Sequence, residues 1–356
     1  MRRAIRVLVL VLIAPSAASA CTTFCLSLDG RTVFGANYDW DTGVALMMVN
    51  KRSVAKVALT GRPARWTSRF ASITVNQYGR DFPTGGMNEA GLVVALMALD
   101  VTRYPAVDSR PSVGILGWIQ YQLDLSATID EVIVQSEGIR IAGGMGLHYL
   151  VADRTGRAAT IEYLDGALVV HRDAALPVAA LTNNTYDDSV RYLRTIAGFG
   201  GTRPVPSGID SLERFARAAS MMRQVSDSAD LVNSAFSILQ SVRQPGYTRW
   251  SIVYDSDQGT VYFRTDRNSS VRWLSFDAMD PMCASPVRIL DINQAGSGDM
   301  SAALADYTPD ANTHLVYTAF SESPSLGGVS EEDRQATAMH PEGDICLQRR
   351  SRSVRP

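Results

Sequence analysis

Cys21 follows the tripeptide Ala18-Ser19-Ala20, and that junction determines which chemistry the residue offers. Small residues there fit a leader-peptidase site. They follow a positive stretch (Arg2, Arg3, Arg6) and an apolar run from Val7 to Ala14. Cleavage after Ala20 would make Cys21 the first residue of a mature chain of 356 − 20 = 336 residues. One residue would then carry a thiol and a free α-amine. The thiolate is the nucleophilic form. The reference pKa of an α-amine, about 8, lies close to the thiol's roughly 8.5. The amine can therefore take the thiol's proton, as in other nucleophiles paired with an N-terminal amine. The chemistry implied is cleavage of an amide bond with the chain's own N-terminus as base. The rival reading is a lipoprotein, in which this cysteine is acylated and cannot act as a nucleophile. Such signals normally place Leu three residues before the cysteine, where this chain has Ala18.

The other residues with chemical potential are sparse. Cys25 lies two alternations along the same expected strand and reads as a small buried side chain. Cys283 and Cys346 would be free to pair in an oxidising compartment, and the sequence leaves that pairing open. The histidines, His148, His171, His314 and His340, show no metal-ligand spacing, and His148 on an apolar strand reads as a satisfied core residue. No G-x-S-x-G elbow or phosphate-binding loop is present. The expectation is no metal and no organic cofactor. A formal charge of −2 points to neither nucleic acid nor an anionic membrane surface. No apolar run after the leader is long enough to span a bilayer.

The elements that must position Cys21 read as hairpins. Residues 21–28 and 31–37 are two strands joined by Asp29-Gly30. Residues 51–58 read as a sheet edge, 72–75 as a strand, 85–91 as a turn, and 91–99 as a strand buried on both faces. Helices are expected over 113–125 and 128–135, then strands over 147–153, 158–163, 167–171 and 178–182. Helices over 211–224 and 228–242 precede three strands at 250–255, 260–264 and 271–275. This order argues for an α+β fold of two stacked sheets covered by helices. A domain over 21–320 is expected, with 321–356 a polar tail, extended or partly disordered.

The run CTTFCLSLDGRTVFGANYDW resembles the start of the choloylglycine hydrolase family, N-terminal-nucleophile amidases that include bile salt hydrolases and penicillin V acylases. The likeness continues through GGMNEAGLVVAL, GLHYLVADRTGRAATIEY, ALTNNTY, LERFARA and YTRWSIVYDSDQGTVYF, in the family's order and spacing. It implies a four-layer αββα sandwich and a small N-acyl amide substrate: penicillin V, a conjugated bile acid or an N-acyl homoserine lactone. It also implies a homo-oligomer, tetrameric in relatives; the leader segment itself points to a periplasmic or secreted location. Carried over residue by residue, the resemblance makes Cys21 the nucleophile and Asp39 the carboxylate that holds its amine. Asn183 becomes one oxyanion donor, the Ala98 backbone N–H the other, and Arg214 the cation near the thiolate. Trp40 falls in a substrate-binding position. Two positions depart from the pattern: Ala36 stands where relatives have arginine, and Ala98 where they have asparagine or tryptophan. The alternatives are an acyltransferase on the same scaffold and a non-catalytic exported binding protein.

Overall fold

The computed structural model describes residues 21–348; the expected leader, residues 1–20, and the basic end, residues 349–356, lie outside them. Thr22–Leu28 and Arg31–Asp39 form the central antiparallel hairpin. Its turn residues Asp29 and Gly30 both have positive φ, 51° and 77°, as a two-residue turn matched to strand twist requires. Gly35 lies opposite Phe24, and a Cβ there would come within 2.4 Å of the Phe24 ring. The glycine lets that ring lie flat over the neighbouring strand.

This hairpin sits inside a seven-stranded sheet with Ala180–Leu181 on one side and Thr248–Asp255, Thr260–Thr265, Arg272–Ser275 and Gly298–Asp299 on the other. A nine-stranded sheet faces it. Its order is Ala167–Arg172, Ala158–Leu164, Leu147–Ala152, Val93–Ala98, Pro83–Asn88, Ser72–Asn76, Leu46–Asn50, Arg288–Asp291 and Ala305–Asp306. Thr23 Oγ1 donates to Met97 Sδ at 3.1 Å and Tyr38 OH to Gln77 Oε1 at 2.7 Å, both across the gap between sheets. The alternate side chains point to the helices: Asn37 Nδ2 donates to Leu239 O at 2.8 Å. Helices Ser211–Met222 and Leu231–Ser241 cover the seven-stranded sheet, and Gly117–Leu125 packs on the nine-stranded one. The expected α+β sandwich of helix, sheet, sheet and helix layers is the fold observed.

Several local expectations need correction. Residues 83–88 are a strand, where a turn was expected over 85–91; Gly85 and Gly86 are buried within it because the neighbouring strands pass too close for side chains. Of 51–58, only Val54–Val57 is a strand, in a separate three-stranded sheet with Arg65–Thr67 and Ile345–Cys346. The helix expected from 113 starts at Gly117, because Ser112–Val113 pairs with Arg140–Ile141. Leu46–Asn50 and helix Tyr186–Leu193 were not anticipated.

The largest difference is at the C-terminus. Residues 321–348 are folded. Pro309–Ser321 is a helix capped by Thr308, and Glu331–Met339 one capped by Ser330. Buried Asn312 joins them, accepting from Arg80 N at 2.8 Å and donating to Ala338 O at 2.7 Å. Cys283 and Cys346 form a disulfide, with Cα atoms 5.5 Å apart. An apolar cluster of Val316, Phe320, Leu326, Val329 and Ala338 packs the segment against Tyr78. Caps, one buried amide and a cross-link hold the polar helix Glu331–Met339, which carries no apolar stripe in the sequence.

Candidate active site

Cys21 immediately precedes the first strand and is 3% exposed. Thr22 faces the helical layer, where Arg214 comes up from the first turn of Ser211–Met222. Arg214 is fully buried. Its Nη1 donates to Cys21 O at 2.7 Å and to Thr22 Oγ1, its Nε to Ile209 O at 2.9 Å, and its Nη2 to Asn183 Oδ1 at 2.9 Å. Burial pushes the guanidinium pKa down, against the pull of Asp39 and Cys21.

Asn183 follows the short strand Ala180–Leu181, which pairs with Thr22–Leu28. Both ends of its amide are fixed. Oδ1 accepts from Arg214, and Nδ2 donates to Ala98 O at 3.0 Å. A primary amide carries two N–H groups, so one remains. Ala98 ends its strand opposite Leu147. Leu99 N donates to Gly146 O, so the next pair along is the hydrogen-bonded one. The Ala98 N–H and C=O therefore point away from Leu147, past the last pair with Pro83–Asn88, Gly85 with Ala95. The C=O meets Asn183 there, and the N–H of the same residue points the same way. The second Asn183 N–H and the Ala98 N–H thus flank one margin of the sheet.

Asp39 ends the second strand, fully buried. It accepts from Thr248 Oγ1 and from Gln244 Nε2, the latter at 2.8 Å. Burial raises its carboxyl to about 6, with the Thr248 bond and the Arg214 charge opposing. The Cys21 thiol is pushed up to about 12, first by burial and then by the Asp39 charge. Main-chain hydrogen bonding at Asp39 and the Arg214 guanidinium work in the other direction.

Trp40 is half-buried. Its Nε1 donates to Tyr78 OH at 2.6 Å, and Tyr78 OH lies 3.1 Å from Ser323 Oγ, so the C-terminal segment anchors this ring. Tyr38 stacks on Trp250, centroids 4.3 Å apart. Ala36, with Tyr38, Leu96 and Trp250, lines a small cavity between the sheets. Cys25 is buried, its thiol raised to about 12 by burial. His148 is buried with both ring nitrogens hydrogen-bonded. Thr22, Ser211, Gln244 and Thr248 escaped sequence reading: each is a common polar residue whose partner lies far along the chain.

Residues 21–288 match the family described as linear amide C–N hydrolases, choloylglycine hydrolase family. The chain belongs to the choloylglycine hydrolase family. A penicillin V acylase from Pectobacterium atrosepticum is 27% identical over 345 residues, covering 83% of this chain and 87% of that protein. The structure of a penicillin V acylase from Agrobacterium tumefaciens superposes with a TM-score of 0.72 at 27% identity, covering 81% of this chain and 98% of that one. A mutant of the conjugated bile acid hydrolase from Clostridium perfringens gives a TM-score of 0.65 at 18% identity, covering 78% and 98%, and shares the fold. This choloylglycine hydrolase family member is therefore a linear amide C–N hydrolase. Among its described residues, no cluster of His, Cys, Asp or Glu is arranged to hold a metal ion. No described helix is long and apolar enough to cross a membrane.

Proposed function

We propose that the chain is exported and cleaved after Ala20, and that it hydrolyses N-acyl amides with Cys21 as nucleophile. The observation that carries this reading is the Arg214 guanidinium, which spans Cys21 O and Asn183 Oδ1 and so ties the nucleophile's main chain to the oxyanion donor. In the uncleaved chain Cys21 has a peptide N–H and a thiol raised to about 12. Cleavage supplies an amine beside that thiol and an ammonium for the buried Asp39 carboxylate to hold. The amine takes the thiol proton, and the thiolate attacks the amide carbonyl. The oxygen that becomes negative is met by the free Asn183 N–H and the Ala98 N–H. Such preorganised donors typically lower a barrier by about 3–4 kcal/mol each. The amine product leaves with the proton, and water hydrolyses the thioester.

Trp40 forms part of the wall that receives the acyl group. The Cys283–Cys346 disulfide supports a periplasmic or secreted location, since such bonds persist in oxidising compartments. Penicillin V is the first substrate to try, because two relatives at 27% identity are penicillin V acylases. Fatty N-acyl amides and N-acyl homoserine lactones come next, as Ala36 and Ala98 leave the site without two side chains of the bile salt hydrolases. The test is amine release from a panel of N-acyl amides, together with the intact mass of the active protein. Active enzyme that retains residues 1–20, or a diacylglyceryl adduct on Cys21, would overturn the reading.

A further inference from the structure

His148 lies on Leu147–Ala152, opposite Met97 and beneath the strand that ends at Ala98. Its Nε2 is 2.6 Å from Thr182 O, and its Nδ1 is 3.1 Å from Glu162 Oε1. A backbone carbonyl only accepts, so Nε2 carries a hydrogen. Glu162 is buried and accepts the Tyr186 N–H at 3.1 Å and 3.3 Å through its two oxygens. His171 Nδ1 lies 3.5 Å from it, and the other nitrogen of that ring faces the exposed Asp187 at 3.2 Å. Hydrogen bonds from these groups hold the Glu162 carboxyl down to about 2, against burial. The ring therefore bridges the Glu162 carboxylate and the Thr182 carbonyl.

The Thr182 carbonyl that it holds belongs to the peptide plane leading into Asn183. The N–H of that same plane donates to Ser211 Oγ at 2.8 Å. The plane is therefore pinned at both ends, by His148 from the nine-stranded sheet and by Ser211 from the helical layer. Pinning it fixes the direction in which the Asn183 side chain leaves the backbone. We propose that His148 is a positioning residue that aims the Asn183 amide at the reacting carbonyl oxygen, by holding Thr182 O from the Glu162 side. This rests on the proposed role of Asn183 and adds the element that orients it.

The experiment exploits the shape of two amides. At position 148, asparagine places its nitrogen where Nδ1 was and keeps a donor for Glu162, whereas glutamine reaches the place of Nε2 and keeps Thr182. In the processed enzyme, His148→Asn is expected to lower kcat 10- to 100-fold with KM little changed, and His148→Gln to stay within a few-fold of wild type. Alkylation of Cys21 by iodoacetamide builds no oxyanion and should proceed at the wild-type rate in both. In an Asn183→Ala background, His148→Asn should cost nothing further, because coupled residues are non-additive. Equal losses in the Asn and Gln variants, or a full additional loss in that background, would overturn the proposal. Hydrogen exchange at the Asn183 N–H gives a readout that needs no turnover. It should quicken at least tenfold in His148→Asn and not in His148→Gln, and unchanged exchange would also overturn the proposal. Wild-type enzyme that released amine from no N-acyl amide, yet showed this exchange pattern, would sink the proposed function and leave the positioning role standing.

Discussion

Arg214 donates to Asn183 Oδ1 at 2.9 Å, and that single bond decides which end of the amide faces Ala98. A guanidinium only donates, so the oxygen must face it and the nitrogen must face Ala98. Asn183→Ala should lower kcat by about 100- to 1,000-fold, the usual cost of one oxyanion donor. Arg214→Lys should fail to restore function, because one ammonium cannot span Cys21 O, Thr22 and Asn183 in the fixed geometry of a guanidinium fork. Steady-state kinetics on the best amide of the panel checks both. A lysine variant near wild-type kcat would make Arg214 a simple counter-charge.

The two buried thiols should separate cleanly. Cys21→Ala should abolish amide cleavage, and Cys21→Ser should leave little, since a hydroxyl is far harder to deprotonate than a thiol. Cys25→Ala should keep most activity, because Cys25 is buried and lacks the Asp39 and Arg214 surroundings of Cys21. Amine release by the three purified variants provides the comparison. Substantial cleavage by the alanine variant at position 21 would end the thioester mechanism.

How far these sites could be read from the chain depends on how local their causes are. The Cys21 hairpin was legible because Asp29-Gly30 and alternating apolar residues specify it over a short stretch. Asp39, Asn183 and Arg214 could be placed only through family motifs, since their meeting is a matter of sheet pairing between residues far apart in sequence. Helix Glu331–Met339 reads as part of a tail because it buries only Thr337 and Ala338, and a capping serine, the buried Asn312 and a disulfide hold it instead of an amphipathic pattern. His148 read as a satisfied core residue and is one, but nothing in sequence connects it to Thr182.

Ala36 sets a different test. It lines the inter-sheet cavity in the strand that flanks Cys21, at the position where the family resemblance leads one to expect arginine. Ala36→Arg should lower the apparent pKa of Cys21 alkylation, because a nearby cation favours the thiolate. That value belongs to the coupled thiol–amine pair. The same variant should melt at a lower temperature, since the cavity is too small for the longer side chain. An unchanged alkylation profile would place the new guanidinium out of reach of sulfur.

Asp39 gives the uncleaved chain a pH signature. Its carboxyl is raised from 3.8 to about 6, so the folded state binds the proton more tightly than the unfolded state between those values. Stability from this residue is present below about pH 4 and is lost as pH rises to about 6. The shift corresponds to an upper figure of about 3 kcal/mol. In a form retaining residues 1–20, Asp39→Asn should raise Tm at pH 7.5 relative to wild type and change little at pH 4. After cleavage the new ammonium offsets the buried charge, and the benefit should shrink or reverse. Thermal melts of both forms at the two pH values check the sign.

Arg288–Asp291 lies against Leu46–Asn50 in the nine-stranded sheet and begins where the family match ends. A chain cut at residue 288 would therefore lose more than a tail. Met47, Met48 and Val49, all buried, lie in the strand it would uncover, which would become an open edge with unpaired backbone groups. Exposed apolar edges of this kind recruit strands from other chains. Shortened versions ending there should collect in inclusion bodies, and the smallest well-behaved unit should extend through Cys346.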